Sequence, residues 1–169
     1  ISTLNGIPTL YLLIIVGLLF RFDPVTLALF IGFLGWTGEA NLARGQTFSW
    51  KERDFVLAAR TIGSSPARIM FRHIVPNILP IMIVVATITI AGVILTESAL
   101  SFIGFGIQPP TPSWGNMLTN AQGFYYKGGH LIVAPGIAIS ITVFCLYLVG
   151  DGLRDALDPR LRGSFSADK

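Results

Sequence analysis

Residues 78–96 read ILPIMIVVATITIAGVILT and contain no charged side chain. In a helix, at ~1.5 Å per residue, this run is ~29 Å long, close to the ~30 Å hydrocarbon core of a bilayer. Three further runs without charge lie at 7–20, 25–38 and 131–150. The last is also long enough to cross the core, whereas the first two are short and need interfacial flanks or a buried position. The sequence therefore predicts helices packed within a membrane.

The composition supports a bilayer as the solvent of this chain. Its 169 residues are 52% hydrophobic and 12% charged, with a mean hydropathy of +0.67, whereas about a quarter of the residues of a soluble domain are charged. The net charge of +3 does not indicate nucleic acid, because membrane proteins keep Lys and Arg on their cytoplasmic face. The only cysteine, Cys145, lies in an apolar run, which excludes a disulfide framework within one chain.

The basic residues predict the orientation of the chain. Of twelve, six lie between the second and third runs and four follow the fourth run: Arg44, Lys51, Arg53, Arg60, Arg68 and Arg72, then Arg154, Arg160, Arg162 and Lys169. Since Lys and Arg concentrate in cytoplasmic loops, both segments are expected inside, with four alternating crossings. The predicted fold is an all-α polytopic transmembrane helical bundle in one domain. Its apolar segments are 7–22, 24–42, 78–104 and 131–150, with a cytoplasmic loop at 44–76 and an outer Pro-rich loop at 105–130.

Turn residues and glycines predict further details of the bundle. Arg21 to Pro24 is expected to form a tight turn, because Pro24 disfavours helix at Asp23, and the first two segments then form a helical hairpin. Gly32, Gly35 and Gly38 recur every three residues, a spacing that lets helices approach closely, although glycine is also simply frequent in membrane helices. The outer loop contains several prolines and aromatic residues, which interrupt helix and suit an interface: Pro109, Pro110, Pro112, Trp114, Tyr125 and Tyr126.

The cytoplasmic loop carries the clearest helix boundaries in the chain. Ser49 and Glu52 fit a capping box at the start of one helix. Phe55, Ala58, Ala59 and Ile62 then fall on one apolar face. Gly63 is suited to the left-handed conformation that ends a helix.

A second helix is predicted to follow at once. Ser65 can cap it with Pro66 at its first position. This helix presents Arg68 and Arg72 one turn apart and buries Ile69 and Ile74, until Pro76 and Pro80 mark the approach to the third span. The loop is therefore a helix-turn-helix.

Three functions fit such a hairpin. A DNA-binding element would place Arg68 and Arg72 in a major groove, but such domains need a third helix to complete a soluble core. A loop that only ties spans together is the simplest reading. A docking element for a cytoplasmic partner is the interpretation we favour, because the caps, the small residues and the projecting turn suit insertion into a groove.

The stretch AARTIGSSPARIMFRHIVPN, residues 58–77, resembles the cytoplasmic loop of ABC importer permeases. That loop is written Glu-Ala-Ala, three residues, Gly, nine residues, Ile, one residue, Leu-Pro. Ala58, Ala59, Gly63 and Pro76 match it, while Leu57, His73 and Val75 depart from it. Leu57 replaces the acid, so any polar contact of that acid is lost here.

Two further blocks resemble the branch of this family that imports dipeptides, oligopeptides and nickel. They are LTESALSFIGFGIQPPTPSWGNML, residues 95–118, and GDGLRDALDPRLRG, residues 150–163. The usual N-terminal spans of the family have no counterpart, so the resemblance is to the C-terminal permease domain, and we expect a fragment or domain of something longer.

The resemblance implies a permease subunit in a prokaryotic cytoplasmic (inner) membrane that performs no chemistry on its cargo. It implies a second homologous permease, two ATP-binding subunits that dock inside, and an extracytoplasmic substrate-binding protein, with no nucleic acid bound. The residues expected to couple to the ATPase are Ala58, Ala59, Gly63, Ser64, Ser65, Pro66, Arg68, Arg72 and Pro76. The alternatives are a membrane-anchored helix-turn-helix DNA-binding regulator and a non-transporting membrane scaffold.

Motifs for chemistry within the chain are missing from the sequence. There is no phosphate-binding Gly-x4-Gly-Lys-Ser/Thr motif, so we expect no cofactor in this chain and ATP bound by partner subunits. No catalytic or metal cluster is expected, since His73 and His130 fall on opposite predicted sides of the membrane. The mixed charges from Asp151 to Arg160 fit a cytoplasmic helix end.

Glu97 is the one acid embedded near an apolar helix. With Ser98 and Ser101 it can line an outward pathway, because ionisable residues in spans usually face a cavity or a polar partner. Alternatively, it caps or braces the turns at 108–112. The sequence leaves both readings open.

Overall fold

The computed structural model describes residues 6–121, 123, 126 and 128–157. Within these residues the chain is almost entirely helical, which confirms the all-α prediction. The helices in chain order are α1 (Thr9–Leu19), α2 (Pro24–Lys51), α3 (Asp54–Thr61), α4 (Pro66–Ile69), α5 (Val75–Phe102), α6 (Trp114–Ala121) and α7 (His130–Leu157). A π-helical turn, Met70–Ile74, joins α4 to α5 without a break.

Three helical stretches are long and apolar enough to cross a membrane: Pro24–Lys51, Pro66–Phe102 and His130–Leu157. Helix α1 has 11 residues and is ~16 Å long, shorter than the hydrocarbon core, so three of the four predicted crossings have helices of spanning length and the fourth stays a prediction. It ends where Phe20 turns to extended backbone, with φ −132° and ψ 141°. Because it has several helices of spanning length, the chain is a multi-pass membrane protein.

Helix α2 runs further than the predicted segment 24–42 and takes in the start of the predicted loop. Ser49 lies inside α2, so the capping box at Ser49 and Glu52 is wrong. The break comes at Arg53, the N-cap position of α3, and no side chain caps that position. Residues 43–49 contain no proline, and the lone glycine among them weakens a helix by only ~1 kcal/mol. Nothing local therefore stops α2 where the sequence suggested.

Residue contacts divide the chain into two compact units. The first consists of Ile1–Thr37 and Ile88–Leu148, and the second of Gly38–Thr87 and Val149–Lys169. The core of the first is formed by Leu13, Phe22, Leu27, Ile31, Leu100 and Ile107. The core of the second is formed by Val56, Ala59, Ile69, Ile74 and Ile78. Each unit thus has its own buried centre, and the single-domain organisation stays a prediction.

The predicted hairpin of α1 and α2 is present in the first unit. Asp23 caps α2, because its carboxylate accepts hydrogen bonds from the N–H of Val25 (3.1 Å) and from the hydroxyl of Thr26. The Thr26 hydrogen bond is the largest cause that lowers the pKa of Asp23 below its ordinary value. Phe22 pairs with Ile107 in an isolated parallel β-bridge. The turn therefore also joins the outer segment that follows α5.

The close backbone approaches occur at different glycines from those expected. A Cβ added at Gly32, Gly35 or Gly38 would meet nothing within 4 Å, so the predicted close packing of these residues is not found within the described part of the chain. At Gly17, an added Cβ would lie 2.4 Å from the carbonyl oxygen of Phe105. The helices are apolar on every side, so spacing alone did not identify the contact face.

The outer segment is interrupted as expected but contains the short helix α6. A positive φ of 90° at Gly104 and a cis peptide bond between Pro109 and Pro110 lie before it. Tyr126 is exposed. Helix α7 continues past residue 150 through Asp151, Arg154 and Asp155, as predicted for a mixed-charge helix end. Predictions for Tyr125, Asp158, Arg160, Arg162 and Lys169 fall outside the described residues.

Candidate functional site

The turn of the cytoplasmic hairpin is closed by a Schellman motif centred on Gly63. The N–H of Gly63 donates to the carbonyl of Arg60, and the N–H of Ser64 donates to the carbonyl of Ala59, each at 3.0 Å. Gly63 has φ +80°, a conformation in which residues with a Cβ are strained. The predicted left-handed glycine is confirmed. Its bonds satisfy two carbonyl groups at the end of α3 that would otherwise lack partners.

The second helix begins as the sequence predicts. Ser65 is the N-cap of α4, and its hydroxyl accepts a hydrogen bond from the N–H of Arg68 at 3.4 Å. Pro66 occupies the first turn, where its missing N–H leaves no bond unmade. Gly63, Ser65 and Pro66 therefore fix a sharp reversal of the chain within a few residues.

Pro76 and Pro80, which the sequence places at the approach to the third span, do not interrupt the helix. The backbone passes from α4 through the π-helical turn, in which the N–H of Val75 donates to the carbonyl of Met70. Because Pro76 has no N–H, the regular helical bond to residue 72 cannot form. Asn77 donates its side-chain amide to the carbonyl of His73 at 2.7 Å. The hairpin therefore continues directly into the apolar helix α5.

The buried face of the hairpin differs from the predicted apolar face. Val56 (0% exposed) and Ala59 pack with Ile69 and Ile74. Burial of Ile69 and Ile74 confirms the prediction for the second helix. Of the residues expected on the apolar face of α3, only Ala59 is buried, whereas Phe55, Ala58 and Ile62 are exposed. The register was misjudged because α3 is apolar on two sides.

An aromatic row supports the hairpin from the end of α2. The rings of Trp50 and Phe55 lie 6.0 Å apart, and those of Phe55 and His73 lie 6.2 Å apart. The guanidinium of Arg53 lies 5.6 Å from the Trp50 ring. His73, which departs from the family pattern, therefore packs in the structure as a member of this row.

The outer surface of the hairpin combines apolar and basic side chains. Ile62 is 83% exposed and Phe71 is 74% exposed. Arg60, Arg68 and Arg72 are exposed on the same hairpin. Sequence reasoning missed Ile62 and Phe71 as surface residues. For Ile62 the sequence did contain a signal, because an apolar residue directly before a left-handed glycine projects from the end of the helix.

The structure brings Glu97, Ser98 and Ser101 together in the first unit. The hydroxyl of Ser101 donates to Oε1 of Glu97 at 2.7 Å, and that of Ser98 donates to Oε2 at 3.4 Å. Ser98 and Ser101 are buried, whereas Glu97 is half-buried. This is a hydrogen-bonded cluster at the end of α5, and its role in a pathway stays a prediction.

The chain matches the family described as "Binding-protein-dependent transport system inner membrane component" over residues 1–163. It is 38% identical over 162 residues to the oligopeptide transport system permease protein OppC of Salmonella typhimurium, covering 96% of this chain and 54% of that protein. The same figures hold for OppC of Escherichia coli strain K12.

A second kind of relative is the glutathione transport system permease protein GsiD of Escherichia coli O1:K1 / APEC. It is 44% identical over 124 residues, which cover 73% of this chain and 41% of that protein. The chain thus spans about half the length, or less, of these curated relatives. All of them are transport permeases, which confirms the resemblance deduced from the three sequence blocks and gives no support to a DNA-binding regulator.

Proposed function

The chain belongs to the family of binding-protein-dependent transport system inner membrane components, and from this premise we propose that it forms the membrane pathway of an ATP-driven importer of peptides. The peptide cargo is supported by the relatives, which are named as oligopeptide and glutathione permeases. Nickel is the runner-up cargo from the sequence blocks. The location is the cytoplasmic (inner) membrane of a prokaryote.

The observation that carries this proposal is the hairpin of the second unit. Its turn is fixed by backbone hydrogen bonds at Gly63, and its outer surface exposes Ile62 directly before the turn and Phe71 in the π-helical turn, together with arginines. Apolar side chains on a cytoplasmic loop face water rather than lipid, so their burial against a partner is favourable. We assign the hairpin to docking in an acidic-rimmed groove of an ATP-binding subunit.

The remaining partners complete the transport system. A second homologous permease forms the other half of the pathway, two ATP-binding subunits supply energy, and an extracytoplasmic binding protein delivers the cargo. ATP is bound by the partner subunits. Coupling then consists of transmitting movement of the ATP-binding subunits through the hairpin into α5, with which it is continuous.

The orientation is tested with single cysteines in a background where Cys145, which is exposed, is replaced by Ser. Cysteine at Ser113 is expected to react with an impermeant thiol reagent from outside, and cysteine at Ser64 only from inside. Labelling of position 64 in intact cells overturns the orientation.

Docking is tested by a matched pair of phenylalanines. Phe71→Glu places a charge on the outer surface of the hairpin, where Phe71 is 74% exposed, whereas Phe48→Glu places it on a phenylalanine of α2 that is 56% exposed. Phe71→Glu is expected to lose co-purification of the ATP-binding subunit and peptide uptake, and Phe48→Glu to keep both. Retention of the ATP-binding subunit and of uptake by Phe71→Glu contradicts the docking assignment.

A further inference from the structure

The hydroxyl of Ser101 links an acid to a turn of the backbone. It donates to Oε1 of Glu97 at 2.7 Å and accepts the N–H of Ile107 at 2.9 Å. A hydroxyl has one proton, so its donation to Oε1 of Glu97 fixes the direction of that proton. The lone pairs of Ser101 are then turned toward Ile107. The carboxylate thus orients the group that holds the backbone six residues further on.

The surroundings of Ser101 leave no room for another molecule. Ser101 is 1% exposed. A Cβ added at Gly106 would lie 2.3 Å from Oγ of Ser101, and one added at Gly115 would lie 2.7 Å from Cβ of Ser101. The outer turn and α6 therefore both pack directly on this serine. Cargo does not reach it in this arrangement.

Two further contacts connect this part of α5 to α6 and to the turn between α1 and α2. The hydroxyl of Thr119 on α6 donates to the carbonyl of Phe102 at 2.6 Å. Ile107, which Ser101 holds, pairs with Phe22 between α1 and α2. Both Phe22 and Ile107 are buried in the core of the first unit. The position of residue 107 therefore also sets the position of the α1–α2 turn.

We propose that Glu97 is a positioning residue: acting through Ser101, it holds the outer turn of residues 103–107, and with it the Phe22–Ile107 bridge, and it does not contact cargo. The consequence for uptake rests on the proposed transport function. The structural link itself does not, because it is defined by hydrogen bonds within the first unit.

The Ile107 amide provides a direct measurement, by hydrogen–deuterium exchange of the complete importer in lipid nanodiscs. Peptides over residues 103–112 are informative because Pro109, Pro110 and Pro112 carry no amide hydrogen. Ser101→Ala removes the acceptor of the Ile107 N–H, and Glu97→Ala removes the group that orients it. Both variants are expected to exchange about tenfold faster in this segment, since a hydrogen bond that is lost no longer protects its amide.

Two conservative variants are the controls. Glu97→Gln keeps an oxygen that accepts the Ser101 hydroxyl, so slow exchange and parental uptake per assembled complex are expected. Ser98→Ala removes the other hydroxyl that donates to Glu97. Because the Ser98 hydroxyl is not bonded to the turn, this variant is expected to leave exchange at 103–107 unchanged.

The outcomes separate a positioning role from a pathway role. Parental exchange in Ser101→Ala or in Glu97→Ala overturns the proposal, as does loss of uptake in Glu97→Gln with slow exchange retained, because the carboxyl group then acts on cargo. If Glu97→Ala does not accumulate, Glu97→Leu, which is apolar and closer in size, takes its place, and parental exchange at 103–107 in that variant also overturns the proposal. A parental importer that takes up no peptide contradicts the transport function and leaves the exchange result valid.

Discussion

Replacement of Gly115 by Ala tests the packing of α6 on α5. The added Cβ would lie 2.3 Å from the carbonyl oxygen of Ser98, 2.7 Å from Cβ of Ser101 and 2.9 Å from Cα of Ser98. Two of these atoms belong to the backbone of α5, which cannot rotate away. Since an ordinary contact needs ~3.4 Å or more, α6 must move outward by ~1 Å.

The cost follows from this displacement. Overpacking of this kind costs ~1–3 kcal/mol. The hydrogen bond from Thr119 to the carbonyl of Phe102, now 2.6 Å long, stretches beyond hydrogen-bond length and loses ~1 kcal/mol. Replacing a helical glycine by alanine stabilises the helix by ~0.5–1 kcal/mol, which offsets part of this cost. We expect Gly115→Ala to lower the free energy of unfolding by ~1–3.5 kcal/mol.

Gly92 provides the matched control on α5 in the same unit. A Cβ there would meet nothing within 4 Å, so Gly92→Ala is expected to raise the free energy of unfolding by ~0.5–1 kcal/mol. The measurement is unfolding of the purified protein in mild detergent titrated with dodecyl sulfate, followed by circular dichroism. Equal values for the two variants, within ~0.5 kcal/mol, refute the contact between α6 and α5.

Three further substitutions test other parts of the structure. Gly63→Val is expected to lower the free energy of unfolding by ~1–2 kcal/mol and to uncouple ATP hydrolysis from uptake. Gly63→Asn is the control, because asparagine tolerates positive φ, and it is expected to retain more coupling. Equal coupling in both variants argues against a left-handed turn. Gly17→Ala is expected to cost ~1–3 kcal/mol in the same titrations, because its Cβ would lie 2.4 Å from the carbonyl oxygen of Phe105, and an unchanged midpoint contradicts that approach. The lowered pKa of Asp23, caused chiefly by Thr26, stabilises the fold above the ordinary carboxyl pKa, and this contribution disappears as pH falls through the folded pKa. Asp23→Asn should remove that part of the acid dependence of unfolding, and an unchanged acid limb contradicts the cap.

Some predicted features of the candidate site were confirmed because they depend on a few adjacent residues. Gly63 ends α3 with a positive φ, and Ser65 with Pro66 starts the next helix, as the sequence indicated. The predicted end of α2 was wrong because it also rested on a few adjacent residues. A capping box at Ser49 is a favourable local pattern, but α2 keeps its own backbone hydrogen bonds through that position.

The membrane environment explains why other features could not be predicted. The helices are apolar all round, so no polar face shows which side packs inward. Gly32, Gly35 and Gly38 have a promising spacing, yet the close approaches are at Gly17 and Gly115. Only the tertiary arrangement determines which small residue meets another backbone.

The sequence by itself determined that this chain spans a membrane, which family it belongs to, and how its hairpin turns. Hydropathy, motif order and the conformational limits of glycine and proline act over short distances along the chain, so they can be read from residue order. Only the tertiary structure decided that the Ser101 hydroxyl donates to Glu97 and accepts the N–H of Ile107, and that Val56 rather than Phe55 is buried. These contacts depend on which surfaces meet when the chain folds. The exposure of Ile62 and Phe71 also depends on the tertiary structure. The core of the second unit covers one face of α3 and of the π-helical turn, and these two residues lie outside it.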